Sequence, residues 1–381
     1  MSFTRAAITL VSGATNQGHT PMMRPATPSA PPALIPGSTP SPLLGPASVL
    51  QSVVWREFQG SLGRITHCLG DPGWQALVIE ERTAVGSLWY APYGPVLEHP
   101  SVLPHALAGL REAARGHGMS WVRVEPQCPP RMGTAFTDTV QRQNATAASL
   151  SAALRASGAR RAPRDIQPAF TRWVDLTRTP EAILKDMTGT NRNLWRRHGD
   201  KGITISSSHR VEAADAVIDL LHRTAGRNGF TAQPGDYLRT AARSLGPTES
   251  CTAYTSSVDG TVVSALLTYD SPTTRIFAHS GMDAGVRKLR PNQPLIAQAL
   301  LDAAAQGQVV ADLFGTAPPD DPNHPWSGFS SFKRSFGGAD VALGGTWDVP
   351  VSRSRYAAYR ALRSARDVAS AARRRLKHRS A

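Results

Sequence analysis

Toward the end of a 381-residue chain stands the stretch SGFSSFKRSFGG (327–338), in which Lys333 lies between Phe332 and Phe336 and a glycine pair closes the segment. A lysine held among aromatic rings loses part of its hydration. Its ammonium then suits an anion, or negative charge that develops during a reaction. A plain helix turn with a buried aromatic pair and an exposed lysine would read the same way. The approach, APPDDPNHPWSGF (317–329), is long and broken by proline, and compact domains often keep such loops for function. A carboxylate, Glu125, ends the apolar run WVRVEP (121–126). There it would orient or deprotonate an amine, or simply close a strand in a salt bridge. Arg192, Arg196 and Arg197, with Lys201 just beyond, make a basic helix face that fits either nucleic-acid phosphate or plain solvent. His279, Asp320, Asp321 and His324 match no ligand spacing, so no metal is expected.

These residues need a scaffold, and composition bounds it. The chain is 41% hydrophobic and 18% charged with a net charge of +14. That is enough for two ordinary domains with cores, and it favours a polyanionic partner such as RNA or an acidic membrane face. Cys68, Cys128 and Cys251 are odd in number and far apart, which indicates neither a disulfide framework nor a zinc site and fits a reducing cytoplasm. No apolar run reaches the roughly 20 residues of a spanning helix, and the run at 6–11 is short for a signal-peptide core.

Residues 1–47 are rich in Pro, Ser, Thr, Gly and Ala and read as a disordered leader. Strands are expected at 76–80, 87–90 and 120–125, with a helix at 103–117. A second unit begins near Phe170. It is expected to run through a helix at 180–198, a strand at 202–206, a helix at 212–227 and strands at 251–254, 262–269 and 275–278, then a helix at 294–306 and a strand at 309–314. Helix and strand alternate in both halves, and WVRVEP in the first answers VVADLFG in the second. The pattern is α/β, with two similarly built domains.

Seven segments in order, YAPYGPVLE (90–98), VRVEP (122–126), GTNRNLWRRHGDKGITI (189–205), TAGRNGFTAQPGDYL (224–238), HSGMDAGVRKLRPNQPL (279–295), VADLFG (310–315) and FKRSFGG (332–338), resemble the FemABX family over about residues 49–359. The resemblance implies two tandem GNAT-like domains: a first at 48–165 completed by 345–360, a second at 166–344, and a basic tail at 361–381. It also implies an aminoacyltransferase that moves an amino acid from aminoacyl-tRNA to the side-chain amine of a peptidoglycan precursor, lipid II or UDP-MurNAc-peptide. The ester is already activated, so no cofactor is implied. On this reading Phe332 and Lys333 hold the tRNA acceptor end and counter the oxyanion, Glu125 lies near the acceptor amine, and Trp121 and Tyr237 line the precursor site. Gln59 and Gln233 stand where relatives carry a Lys and an Arg against the precursor's diphosphate, and Arg56 is expected to replace one of those charges.

Residues 353–379 form a helix pattern dense in arginine, with Asp367 the single acid. It is expected to hold the enzyme at the cytoplasmic face of an anionic membrane or to bind tRNA. Three other readings stay open: the same chemistry on a peptide natural product, an acyl-CoA N-acyltransferase, and a non-catalytic RNA- or membrane-binding module. Against CoA, the segment RKLRPNQP (287–294) has no glycine and two prolines where a pyrophosphate loop would need bare amides.

Overall fold

In the computed structural model, residues 48–129 and 135–379 are described, those from 369 onward as backbone only. The leader at 1–47 and its expected disorder lie outside the described residues. In chain order the first elements are α1 (Val53–Ser61), β1 (Thr66–Asp71), β2 (Trp74–Thr83), β3 (Gly86–Ala91), β4 (Val96–Leu97), α2 (Leu103–Gly116), β5 (Trp121–Val124), α3 (Phe136–Ala156) and β6 (Arg160–Arg161). Next come β7 (Phe170–Asp175), α4 (Pro180–Asp186), α5 (Gly189–Arg196), β8 (Ile203–Ser208), α6 (Ala213–Asn228), α7 (Gly235–Leu245), β9 (Cys251–Val258), β10 (Thr261–Asp270) and β11 (Thr274–Met282). The chain closes with α8 (Asn292–Ala305), β12 (Val310–Gly315), α9 (Ser327–Arg334), β13 (Ala339–Ala342), β14 (Trp347–Pro350) and α10 (Arg353–Arg379).

The strands form two seven-stranded sheets. The first runs β1-β2-β3-β5-β14-β6 with β4 beside β2, and the second β13-β7-β12-β11-β10-β9-β8. Each is antiparallel except for one pair joined through a helix: β3 with β5 across α2, and β11 with β12 across α8. The likeness of WVRVEP to VVADLFG therefore corresponds to equivalent strands, β5 and β12. The late strand β14 pairs with β5 and β6 of the first sheet, fastened by the buried Arg123–Asp348 pair at 2.7 and 3.0 Å.

Local chemistry sets the elements. In α2, Leu103, Ala106, Leu107, Leu110 and Ala114 recur at helical spacing and bury one stripe against the first sheet. Ser52 caps α1 by accepting the Trp55 amide at 3.2 Å. Helix α1 packs outward onto the second sheet: Trp55 meets Tyr269 edge-on at 5.5 Å and Phe58 meets Tyr237 at 5.1 Å. The helix expected over 180–198 is two helices. Met187 is extended, and the Thr188 side chain accepts the Asn191 amide, so the TGTN segment starts a new helix instead of continuing the old one.

Candidate active site

Strands β11 and β12 are paired only at 274–276 with 310–312. Beyond that point they part, and α9 closes over the gap. The cleft between them is walled by Leu266, Phe277, Ile296, Phe329, Phe332 and Phe336, with Lys333 among them. The glycine pair explains how α9 comes so close to the sheet. At Gly338 φ is +77° and a Cβ would stand 1.9 Å from the Trp173 carbonyl oxygen, so only glycine fits. Arg172 on β7 donates to the carbonyls of Gly337 and Gly338 at 2.8 and 2.6 Å and pairs with Asp340, which locks the turn.

Lys333 is buried, at 6% exposure. The reading of it as an exposed surface lysine is thereby set aside. Its Nζ donates to the carbonyls of Phe314 and Gly315 at 2.8 and 2.7 Å and lies 4.1 Å from the Phe329 ring centroid. Phe314 adopts φ of 64°, a left-handed conformation uncommon outside glycine, at the point where the two carbonyls meet the lysine. Asp312, two residues earlier, accepts the Phe314 amide at 2.7 Å and the Thr171 hydroxyl. Burial holds the Lys333 amine well below its ordinary pKa, and the Asp312 carboxylate opposes that shift. An ammonium carries three N–H groups. In the protonated form two are spent on carbonyls, so one is left without a partner among the described residues.

Helix α5 flanks this cleft. Asn191 donates to the Ser335 hydroxyl at 2.8 Å, and Trp195 donates to Gln298 of α8 at 3.4 Å. Of the four expected basic contacts, Arg196, Arg197 and Lys201 are exposed, Arg197 in a surface pair with Asp200 at 2.9 Å. Arg192 is differently employed: its guanidinium donates to the Lys185 and Met187 carbonyls at 2.8 and 2.6 Å and so finishes α4.

A second cleft lies on the first sheet, lined among others by Gln59, Arg64, Glu81, Tyr90, Gln167 and Tyr237. It brings together Gln59 and Tyr237, whose side chains hydrogen-bond, and burial pushes the Tyr237 phenol up to about 12. The guanidinium beside Gln59 is that of Arg64, at 2.9 Å. Arg56, expected to supply that charge, instead lies beside the Cys68 thiol. Gln233 is buried, and its carbonyl accepts from His222 at 2.8 Å. Trp121 is a core residue, fully buried and stacked on Tyr359 at 4.5 Å.

Glu125 is 2% exposed. One oxygen accepts from Tyr90 Oη at 3.0 Å and the Tyr93 amide at 3.1 Å. The other accepts from Thr346 Oγ1 at 2.6 Å and the Gln167 amide at 2.9 Å. No cation is among the four donors, so of the two readings open for Glu125 the strand-end salt bridge is not found among the described residues. A carboxylate has about four lone-pair sites, so this one is saturated, tying β3, β5, the segment before β7 and the segment before β14 at one point. Burial still pushes its pKa up, against those bonds. Tyr93 lies within electrostatic reach of both Glu125 and Asp312. Asp312, Tyr93, Arg64 and Glu81 had not been singled out from sequence. An Asp inside the apolar run VVADLF was the one available signal, because acids are rarely buried without a purpose.

Two α/β units, each a mostly antiparallel sheet with one parallel pair joined through a helix, and in the second that pair parting at the Lys333 cleft, make a tandem GNAT-like fold. The sequence model of the FemAB family matches residues 47–248 and that of the acetyltransferase (GNAT) domain residues 185–321; the chain belongs to the FemAB family. The crystal structure of FemX is similar at TM-score 0.67 and 15% identity, covering 82% of this chain and 95% of that one. L-PGS from Bacillus licheniformis aligns at TM-score 0.47 and 12% identity, over 80% of this chain and 88% of that one. A tandem GNAT protein from the clavulanic acid biosynthesis pathway aligns at TM-score 0.39 and 14% identity, over 73% and 79%. No curated protein sequence matches the chain significantly. Family membership makes the chain a transferase of the general kind that builds peptidoglycan bridges.

Proposed function

We propose that this transferase takes an aminoacyl group from aminoacyl-tRNA and passes it to a side-chain amine of a peptidoglycan stem peptide. The observation that carries the reading is Lys333, a buried lysine on an aromatic cleft whose two carbonyl bonds leave its protonated form one N–H for a ligand. The acceptor amine attacks the ester carbonyl carbon, and the carbonyl electrons move onto oxygen. The free N–H of Lys333 stabilises that oxyanion in a poorly hydrated wall, where a hydrogen bond to developing charge is strongest. Collapse breaks the bond to the ribose oxygen, which leaves with a proton as the tRNA hydroxyl, and an amide remains. Phe332, half-buried beside Lys333, offers a ring face to the terminal base. Arg196, Arg197 and Lys201 meet the acceptor-stem phosphates, and Glu125 fixes the acceptor side through its four bonds. Gln59, Tyr237 and Gln233 belong to the precursor side.

The first unit is read as 48–165 completed by 345–360 and the second as 166–344. The tail at 361–381 is assigned to an anionic cytoplasmic membrane surface, with lipid II as the acceptor. An acyl-CoA donor fits less well. Helix α8 opens with Pro291 at its N-cap and Pro294 in its first turn, so the amides that would bind a pyrophosphate are depleted.

The test is transfer of labelled amino acid from charged tRNA by wild type and Lys333→Met, which keeps the stem and removes the ammonium. A rate loss on the order of 10²–10³ is expected. The two abandoned carbonyls also cost stability, about 1–3 kcal/mol each if left unsatisfied, so melting is measured alongside. A folded variant with wild-type kinetics would sink the assignment.

A further inference from the structure

We propose that Asp312 is the positioning residue of Lys333: it pins the backbone turn whose carbonyls hold the lysine, and its negative charge keeps the buried amine an ammonium. The inference rests on the function proposed above only for its effect on turnover. Asp312 stands at the last paired position of β12 with β11, where the two strands begin to part. Strand alternation puts it on the opposite face of the sheet from the Lys333 cleft, which Leu313 lines. Asp312 itself lines a cleft with Tyr93, Gln127, Trp173 and Ile276. Its Oδ1 accepts the Phe314 amide at 2.7 Å and the Thr171 hydroxyl. A side chain that bonds its own backbone two residues on is the Asx pattern, which supports tight turns. Here it holds Phe314 at φ of 64°, and the carbonyls of Phe314 and Gly315 meet Nζ.

The charge matters because of a count. A neutral amine has two N–H groups and both go to those carbonyls, so only the ammonium has a third for an oxyanion. Burial strips the proton from an amine unless an opposite charge lies close. Around Lys333 the walls from β10, β11, α8 and α9 contribute no other titratable side chain among the described residues. Arg334, next to it on α9, is committed to Asp340 at 2.9 Å. On the Asp312 side stand Tyr93, after β3, and Cys128, after β5. Burial pushes the phenol well up and the thiol up to about 11, so neither is charged near pH 7. Asp312 is thus the charge that acts on Lys333. Its own bonds come from three donors, the Phe314 amide, the Thr171 hydroxyl and the Trp173 indole at 3.4 Å, which favour the ionised carboxylate against its burial.

The chain holds five lysines, at 185, 201, 288, 333 and 377. Lysine labelled with carbon-13 at Cε therefore gives five signals to titrate in intact protein without tRNA, and Lys333→Met identifies one of them. In wild type the Lys333 signal is expected at the ammonium position at pH 7. Asp312→Asn keeps an oxygen for the Phe314 amide and removes the charge. Its Lys333 midpoint should fall by at least about one pH unit, a tenfold change in the protonation equilibrium, while the other four lysines stay put. Thr171→Val, which leaves Asp312 in place and takes one donor from it, should move the midpoint the same way by less. In transfer from charged tRNA, the alkaline limb of kcat should move to lower pH in Asp312→Asn by the same interval, with KM for aminoacyl-tRNA little changed. A neutral Lys333 in wild type at pH 7 overturns the proposal, and so does a midpoint unmoved in the two variants. A Lys333 midpoint that follows Asp312, with no transfer by wild type, would uphold the pairing and overturn the proposed reaction instead.

Discussion

His279 lies on β11 at 2% exposure, edge-on to Tyr269 at 5.9 Å, and neither ring nitrogen has a partner among the described residues. Burial of the charged form pushes its pKa down to about 3. In the unfolded chain the imidazole titrates near 6.5. Between those two values the unfolded state holds a proton that the folded state refuses. Stability is therefore full above about pH 6.5 and falls as pH drops toward 3, by up to ~1.4 kcal/mol per unit. Urea unfolding at pH 7 and pH 5 should show that slope in wild type and a shallower one in His279→Leu; identical slopes would mean the ring is solvated. The sequence offered His279 only as a doubtful metal ligand. Lys333 was legible because its aromatic neighbours are adjacent in sequence, but its burial depends on the Phe314 and Gly315 carbonyls, which no local pattern announces.

Elements with strong periodicity or continuous apolar runs were readable: α2, α6, α8 and β2, β5, β10 and β12 lie within a few residues of their expected spans. Those missed had weak stripes. In α3, the sequence FTDTVQRQNATAASLSAALRA buries only Val140, Gln143, Ala147, Leu150 and Leu154, and small polar residues dilute the signal. No local pattern places the strand β14 in the first sheet, because its partners lie some two hundred residues earlier; the expectation that 345–360 completes the first unit came from the family resemblance alone. The break between α4 and α5 sets off a short helix that packs on α8 through Trp195 and leaves Arg196 and Arg197 exposed. If Arg196, Arg197 and Lys201 meet phosphate, tRNA affinity should fall steeply with salt. Their joint replacement by alanine should then lower the log–log slope by roughly 0.7–0.9 per lost contact. Arg192 is left out of the variant because it finishes α4, so a change there would confound folding with binding. An unchanged slope would put the tRNA on another face.

Across the whole molecule, the two clefts occupy different sheets, and the chain joins them by crossing over: α1 packs on the second sheet and β14 pairs in the first. The buried Tyr93 lies within electrostatic reach of Asp312 behind Lys333 and of Glu125 in the first unit. Helix α10 leaves from the first sheet, directly after β14. Its first turns are anchored, with Tyr356 and Tyr359 against Trp121, while Leu362 and Val368 are exposed. No helix among the described residues is long and apolar enough to cross a membrane. With few large apolar side chains, any hold on lipid is mainly electrostatic, at about 1 kcal/mol per basic residue close to an anionic surface. The anchored turns also show where to cut: removing 361–381 spares both tyrosines. Transfer to lipid II in anionic vesicles should then fall sharply, transfer to the UDP-linked precursor should stay constant, and high salt should reproduce the truncation in the full chain. If the truncated enzyme loses both acceptors equally, the tail acts on tRNA; if it loses neither, the basic helix has no part in placing the enzyme.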